Sequence, residues 1–162
     1  MCEPRQRSRV AVSLSSLLEP ACHNQLVPNP TRSGARVAHI GIAVHSLDAL
    51  LPFYRDVLGM DVVPLDDADG ARIAGLTAGD ALVELLEPEK ADSPIGKFIA
   101  KRGPGIHHVC FVVDDLGAAL DRCRTAGIRL IDEKPRIGAE GKWIAFLHPS
   151  STGGVLIELT EP

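Results

Sequence analysis

An internal repeat constrains the fold of this chain more than any other feature of its sequence. The residues from His39 to Leu47 align without gaps on those from His108 to Leu116. The ends of the two halves also match, since Val83-Glu84-Leu85 aligns on Ile157-Glu158-Leu159. A half of about 60 residues buries little surface alone, so two copies are expected to share one core.

Each half has the apolar pattern of a strand, a helix and three further strands, which predicts an α+β fold of two β-α-β-β-β modules. We expect strands over residues 37–44, 60–64, 71–77 and 81–86, then 106–113, 128–131, 142–148 and 154–159. Helices are expected over 47–54, 92–102 and 116–123, the second with Ser93 as N-cap and Pro94 in its first turn. Residues 36–162 are therefore predicted to form one domain: module one (36–91), a linker helix (92–104) and module two (105–161).

Residues 1–35 differ from the rest in composition. They contain four prolines with scattered arginines and serines, and they show no sustained apolar period. We expect a disordered N-terminal extension. Its arginines and serines resemble those of a transit peptide, but Glu3 and Glu19 interrupt that pattern.

Composition excludes several classes of partner. The formal net charge is −4 and no basic stripe is present, which disfavours nucleic acid. No apolar run approaches the roughly 18 residues of a membrane span. None of the four cysteines forms a C-x-x-C pair, and this usage is typical of a reducing cytoplasm.

Two histidines and two glutamates occupy equivalent places in the repeat. His39 and His108 begin the first strand of each half, and alternation predicts that His39 shares a strand face with Gly41 and Ala43. Glu84 and Glu158 lie in otherwise apolar strands, where a carboxylate is costly unless a positive group pairs with it. Packing in a duplicated fold does not by itself require a histidine at the start and a glutamate at the end of each half. We therefore predict one divalent metal ion held by His39, Glu84, His108 and Glu158, a ligand set that suits Co, Ni, Zn, Mn or Fe.

Two other histidines are weaker candidates. Alternation predicts that His107 faces away from His108, in a structural or solvent-facing role. His148 ends a strand beside a turn and is a secondary candidate for lining the site.

The sequence resembles the vicinal oxygen chelate superfamily, which includes glyoxalase I, extradiol dioxygenases and bleomycin-resistance proteins, and within it the methylmalonyl-CoA epimerase family. The matching segments are His39 to Val44, Phe53 to Gly59, Glu84 to Pro88, Ser93 to Ile95, Gly105 to Phe111, Pro135 to Ala139, Phe146 to Pro149 and Gly154 to Glu158. The resemblance implies a cupped mixed sheet around a metal, the same four ligands, cobalt as the favoured ion and a homodimer.

The resemblance also implies a reaction, the interconversion of (2R)- and (2S)-methylmalonyl-CoA through removal and return of the C2 proton. The thioester carbonyl and the carboxylate of this substrate can both chelate one metal, which would stabilise the enolate. Glu158 is the first candidate for a base. Some members carry a second base on the strand that here reads Ala71 to Ala74, which has no carboxylate; Asp66, Asp67 and Asp69 precede it.

Other functions remain open at this point. The ligand set alone also fits a glyoxalase-like enzyme or an epimerase of a related acyl-CoA. A non-catalytic protein that binds a metabolite or drug is a further alternative, although such relatives commonly lack the full ligand set. For the CoA phosphates the candidate contacts are Lys97, Lys101, Arg102 and Lys142.

Overall fold

A computed structural model of the protein describes residues 34–139 and 141–162. The predicted N-terminal extension, except for its last two residues, lies outside the described residues. No helix in the described part of the chain is long and apolar enough to cross a membrane. The predicted domain and module boundaries remain predictions.

The described elements follow the predicted order closely. Module one contains β1 (Arg36–Ala43), α1 (Leu47–Pro52) with a π-helical continuation (Phe53–Val57), β2 (Val62–Pro64), β3 (Ala71–Ala78) and β4 (Ala81–Pro88). Helix α2 (Pro94–Arg102) comes next. Module two contains β5 (Gly105–Val112), α3 (Leu116–Thr125), β6 (Arg136–Ile137), β7 (Trp143–Leu147), a 3-10 turn (Pro149–Ser151) and β8 (Leu156–Thr160).

The eight strands form one mixed sheet with the order β2-β3-β4-β1-β5-β8-β7-β6. This order reads as one module followed by the same module reversed, which is what a twofold relation between the repeats produces. The axis passes between β1 and β5, which are antiparallel, and there Ile40 pairs with Val109, its own equivalent in the repeat. The predicted fold class, a cupped mixed sheet of the vicinal oxygen chelate type, is confirmed.

Helices α1 and α3 cover one face of the sheet, while α2 packs on part of the other face, which carries the site. Helix α1 packs Leu47, Leu50 and Leu51 against module one, and α3 packs Leu116 and Leu120 against module two. These contacts hold the outward-facing residues of the strands in two apolar clusters. The alternate residues, which include both predicted histidine ligands, face the opposite, concave side.

Both helices begin with equivalent caps in the two modules. Ser46 and Asp115 are the N-caps of α1 and α3 and accept from the backbone N–H groups of Ala49 and Ala118. Two further carboxylates, Glu87 and Glu161, accept from the first N–H of each helix, at 2.7 Å from Leu47 N and 2.8 Å from Leu116 N. The signal for them is in the sequence, because residues 84–88 read Glu-Leu-Leu-Glu-Pro and residues 158–162 read Glu-Leu-Thr-Glu-Pro.

The strand predicted over residues 128–131 is wrong. Only an isolated bridge joins Leu130 to Leu147. The ladder stops there because the Asp132 carboxylate, 2.9 Å away, accepts the hydrogen bond of Phe146 N. Instead the edge strand beside β7 is the short β6, which the apolar pattern of the sequence does not predict.

Candidate metal centre and substrate cleft

Four strands bring the four predicted ligands onto the concave face. In the pairing of the central strands, Gly41 lies between Glu84 on β4 and His108 on β5. One step along the sheet, Cys110 lies between His39 on β1 and Glu158 on β8. All four predicted ligands are at most 7% exposed.

Three of these residues converge on one point. The Nε2 atoms of His39 and His108 are 3.0 Å apart. The Glu158 Oε2 atom lies 3.3 Å from His39 Nε2 and 3.0 Å from His108 Nε2. The two imidazole rings cross at 83° with their centroids 5.1 Å apart, so each ring presents its Nε2 edge to the same space.

This donor set fits a divalent cation. Ligand atoms about 2.1 Å from an ion and at right angles to one another lie about 3.0 Å apart, close to the three observed separations. Carboxylates buried in apolar strands, as Glu84 and Glu158 are, need a positive group nearby, and a divalent cation would provide it. Buried His39, His108 and Glu158 thus form a cluster compatible with a divalent metal.

Glu84 has a different contact from the other three. Its Oε1 atom lies 3.2 Å from Nδ1 of His39, which is the ring nitrogen turned away from the cluster. A carboxylate at this position fixes the orientation of an imidazole and keeps a proton on Nδ1. The role of Glu84 as a fourth ligand therefore stays a prediction.

Gly41 provides the space for the His108 imidazole. A Cβ atom built at position 41 would lie 2.3 Å from Cε1 and 2.6 Å from Nδ1 of His108. The repeat places Cys110, which is fully buried, at the equivalent position opposite His39. A small residue two positions after each histidine therefore makes room for the histidine of the other module.

A β-bulge in each central strand changes which side chains reach the site. The pairing of β1 with β5 skips Ala38 on one strand and His107 on the other, and these positions are equivalent in the repeat. A bulge turns two successive side chains toward the same face. Ala38 and His107 accordingly line the cleft beside His39 and His108, so the predicted outward orientation of His107 is wrong.

His107 lies in a polar contact with a predicted ligand. Its Nδ1 atom is 3.0 Å from Nδ1 of His108, and the edge of the Phe98 ring packs against it at a centroid distance of 4.9 Å. Burial, and then the adjacent His108, lower the pKa of His107 to about 4, although Glu158 and Asp69 oppose the shift.

The Glu158 carboxylate is ionised at neutral pH. Burial by itself would raise its pKa, but hydrogen bonds from His108 and His39 outweigh burial and lower the pKa to about 2. A carboxylate held in this form can act as a ligand or accept a proton from a strongly acidified group.

A cleft with a volume of about 280 Å³ opens above the cluster. That is close to the lower end of the roughly 300–1,000 Å³ usual for small-molecule sites. Its walls are partly apolar, with Ile73 and Ile95 on the side of module one. Arg136 and Lys142 line the side of module two. The cleft can therefore take a ligand that is apolar in one part and anionic in another.

An ion pair connects the two walls. Arg136 Nη2 lies 3.0 Å from Asp69 Oδ2, and the Arg136 guanidinium also stacks 5.4 Å from the Phe146 ring centroid. Asp69 is thus paired, and Asp67 accepts from the backbone N–H of Ile73. His148 caps the 3-10 turn through Ser150 and is not among the cleft residues.

Comparison with known proteins agrees with this fold and site. The profile of the Glyoxalase/Bleomycin resistance protein/Dioxygenase superfamily matches residues 38–146, so the chain belongs to that superfamily. An ethylmalonyl-CoA/methylmalonyl-CoA epimerase of Cereibacter sphaeroides is 42% identical over 130 residues, covering 78% of this chain and 97% of that protein. Within the superfamily, the chain belongs to the methylmalonyl-CoA epimerase family.

Solved structures of that family are similar in fold as well as in sequence. The crystal structure of methylmalonyl-CoA epimerase from Mycobacterium tuberculosis has a TM-score of 0.74 and 42% identity, covering 78% of this chain and 87% of that one. A methylmalonyl-CoA epimerase in complex with methylmalonyl-CoA and NH4+ has a TM-score of 0.73 and 40% identity, covering 78% and 94%.

Proposed function

We propose that this protein is an enzyme that interconverts (2R)- and (2S)-methylmalonyl-CoA by moving the proton at C2. The observation that carries the proposal is the convergence of His39, His108 and Glu158 at the base of the cleft, in a chain of this family. The reaction needs a proton acceptor beside C2 and a means of stabilising negative charge on the thioester oxygen. Glu158 would provide the proton acceptor, and a cation held by the cluster would stabilise the negative charge.

We assign metal binding to His39, His108 and Glu158, with Glu84 as the predicted fourth ligand. The mixed nitrogen and oxygen donors suit Co, Ni, Zn or Mn, and the family resemblance favours cobalt. Both histidines are held with Nε2 toward the cluster, so little reorganisation is needed for binding. Buried ligands on four adjacent strands also keep the donor atoms in place.

Glu158 is the base that we propose on one face of C2. A carboxylate is a weak base, so the C2–H group must be made much more acidic. A bound divalent cation would supply that activation as a Lewis acid on the substrate oxygens. Glu158 then needs only to lie beside C2, which its place at the base of the cleft allows.

The cationic residues of module two fit the anionic parts of the substrate. Arg136 is held by Asp69 and by the Phe146 ring, and a guanidinium binds a carboxylate in a fixed geometry. Lys142, one of the predicted CoA contacts, also lines the cleft. We propose these two side chains as anion contacts. Lys97, Lys101 and Arg102 remain candidates from the sequence alone.

A related acyl-CoA epimerase activity is the second candidate. The Cereibacter relative is named for ethylmalonyl-CoA as well as methylmalonyl-CoA. The wall near the cluster is formed by small and branched apolar residues, which include Ala71 and Ile73. One extra methylene in such a pocket changes specificity by only about 1–3 kcal/mol, so we expect some activity on the larger substrate.

We further propose a homodimer that acts in the cytoplasm in propionate metabolism. Twofold assembly is the commonest arrangement of soluble oligomers. Cysteine usage supports a reducing compartment.

Exchange of the C2 proton tests the proposed reaction directly. The protein is loaded with Co²⁺ and incubated in deuterated water with methylmalonyl-CoA, with ethylmalonyl-CoA or with the hemithioacetal of methylglyoxal and glutathione. NMR should show deuterium at C2 of the first substrate. Glu158→Gln should abolish the exchange, whereas the matched control Glu89→Gln, on an exposed residue, should not. No exchange with methylmalonyl-CoA, or turnover of the hemithioacetal alone, would reject the proposal.

A further inference from the structure

We propose that His107 is a positioning residue that orients His108 for metal binding by accepting its Nδ1–H. This inference rests on the proposed metal site and concerns a residue that does not itself reach the cluster. It starts from the bulge in β5, which turns His107 toward the cleft although alternation would turn it away. The bulge brings the two neighbouring imidazoles together, with Nδ1 atoms 3.0 Å apart.

Only one placement of the protons on these two rings is compatible with metal binding by His108. His108 presents Nε2 to His39 and Glu158, so metal binding requires that Nε2 is unprotonated and that the proton is on Nδ1. Within residues 34–139 and 141–162, the acceptor that lies within reach of that proton is Nδ1 of His107. His107 must then hold its own proton on Nε2. Fixing the tautomer of a metal-binding histidine in this way is the usual task of its outer partner.

In module one a different group contacts Nδ1 of the histidine ligand. The position equivalent to His107 is Ala38, which has no polar side chain. There Nδ1 of His39 faces the Glu84 carboxylate at 3.2 Å. Each of the two predicted histidine ligands thus has a polar group against Nδ1, an acid in one module and an imidazole in the other.

Packing holds His107 in this orientation. The Phe98 ring from α2 meets the His107 ring edge to face, at an interplanar angle of 82°. The rings of His107 and His108 are also nearly perpendicular, at 87°. In this position Nδ1 of His107 stays 3.0 Å from Nδ1 of His108.

A matched pair of substitutions separates the hydrogen bond from packing. Asn and Leu have the same branched shape, but only Asn retains an acceptor near the position of Nδ1. We expect His107→Leu to weaken Co²⁺ binding about 10- to 100-fold, the range typical for loss of an outer partner. His107→Asn should remain within a few-fold of the parent. Dissociation constants come from competition with a chromophoric chelator, and far- and near-UV circular dichroism verifies that each variant is folded.

A packing control and a tautomer measurement complete the test. Phe98→Leu removes the ring contact and leaves the hydrogen bond, so it should change Co²⁺ affinity less than His107→Leu does. In the Zn²⁺-loaded parent, ¹⁵N NMR of labelled histidines should place the proton of His107 on Nε2. Equal affinities of His107→Leu and the parent, equal losses in the Leu and Asn variants, or a proton on Nδ1 of His107 would overturn the inference. Failure of the parent to bind any divalent ion would instead reject the proposed metal site.

Discussion

Gly41→Ala tests whether the shape of the central strands sets the position of His108. The added methyl group would lie 2.3, 2.6 and 2.9 Å from three atoms of the His108 ring, where ordinary contacts begin near 3.4 Å. The ring must therefore retreat by roughly 1 Å, because the methyl group is fixed to a central strand of the sheet. A displacement of about 1 Å at a reacting centre costs about 100-fold in rate.

The same substitution should leave the fold intact. Gly41 does not have a left-handed backbone conformation, so alanine fits the strand. Replacing a strand glycine by alanine contributes about 0.5–1 kcal/mol to stability, which offsets part of the clash. We expect turnover and Co²⁺ affinity to fall by one to two orders of magnitude, with a cooperative urea transition preserved. The assays are C2 proton exchange, chelator competition and urea unfolding.

Gly117→Ala is the matched control for this prediction. Gly117 lies in the first turn of α3, and its added methyl group would meet only Asp115 Oδ1, at 3.4 Å. This change should raise the free energy of unfolding by about 0.5–1 kcal/mol and leave metal binding unchanged. Parent-like turnover and affinity in Gly41→Ala would refute the view that this glycine makes room for the ligand.

Three further predictions follow from individual contacts. Glu161→Gln should lower the free energy of unfolding by about 0.3–1 kcal/mol, since it removes the negative charge at the start of α3. Its Co²⁺ affinity should be unchanged, and an unchanged midpoint of urea unfolding would contradict the prediction. In metal-free protein, the folded state resists protonation of His107 (pKa about 4) while the unfolded chain takes up that proton near pH 6.5. The free energy of unfolding should therefore fall by on the order of 3 kcal/mol as the pH drops from about 6.5 to 4, with a shallower slope in His107→Leu; equal slopes would be a contrary result. Arg136→Ala should raise KM for methylmalonyl-CoA about 10-fold or more, because it removes a contact with the anionic substrate. It should lower the free energy of unfolding by less than about 1 kcal/mol, because the ion pair with Asp69 is partly exposed. The control Arg129→Ala should alter neither quantity, and an unchanged KM in Arg136→Ala would count against its contact with substrate.

The repeat explains why much of the site could be predicted from the sequence. Apolar residues that alternate along the strand correctly placed His39 and His108 on the concave face. Because the two halves matched at both ends, Glu158 was expected at one site with His39 and His108, and the structure brings these three together. Such inferences depend only on the period of a strand and on the twofold relation between the modules. The antiparallel pairing of β1 with β5 was not predicted.

Local departures from regular pairing could not be predicted in the same way. The bulges at Ala38 and His107 carry no clear sequence signal, and each reverses the face of one side chain. The side-chain bond from Asp132 to the backbone of Phe146 ended the strand expected over residues 128–131. The caps from Glu87 and Glu161, in contrast, were visible in the repeated Glu-Leu-x-Glu-Pro pattern and were missed.

The central claim is that the histidines and acids of both modules hold a single cation. A titration of the purified protein with Co²⁺ tests this claim most directly. The parent should bind one ion per chain, with a visible spectrum of nitrogen and oxygen coordination. His39→Ala, His108→Ala and Glu158→Gln should each weaken that binding strongly, and Glu84→Gln should show whether the fourth predicted ligand contributes. A parent that binds no ion, or four variants that bind it as tightly as the parent does, would contradict the account.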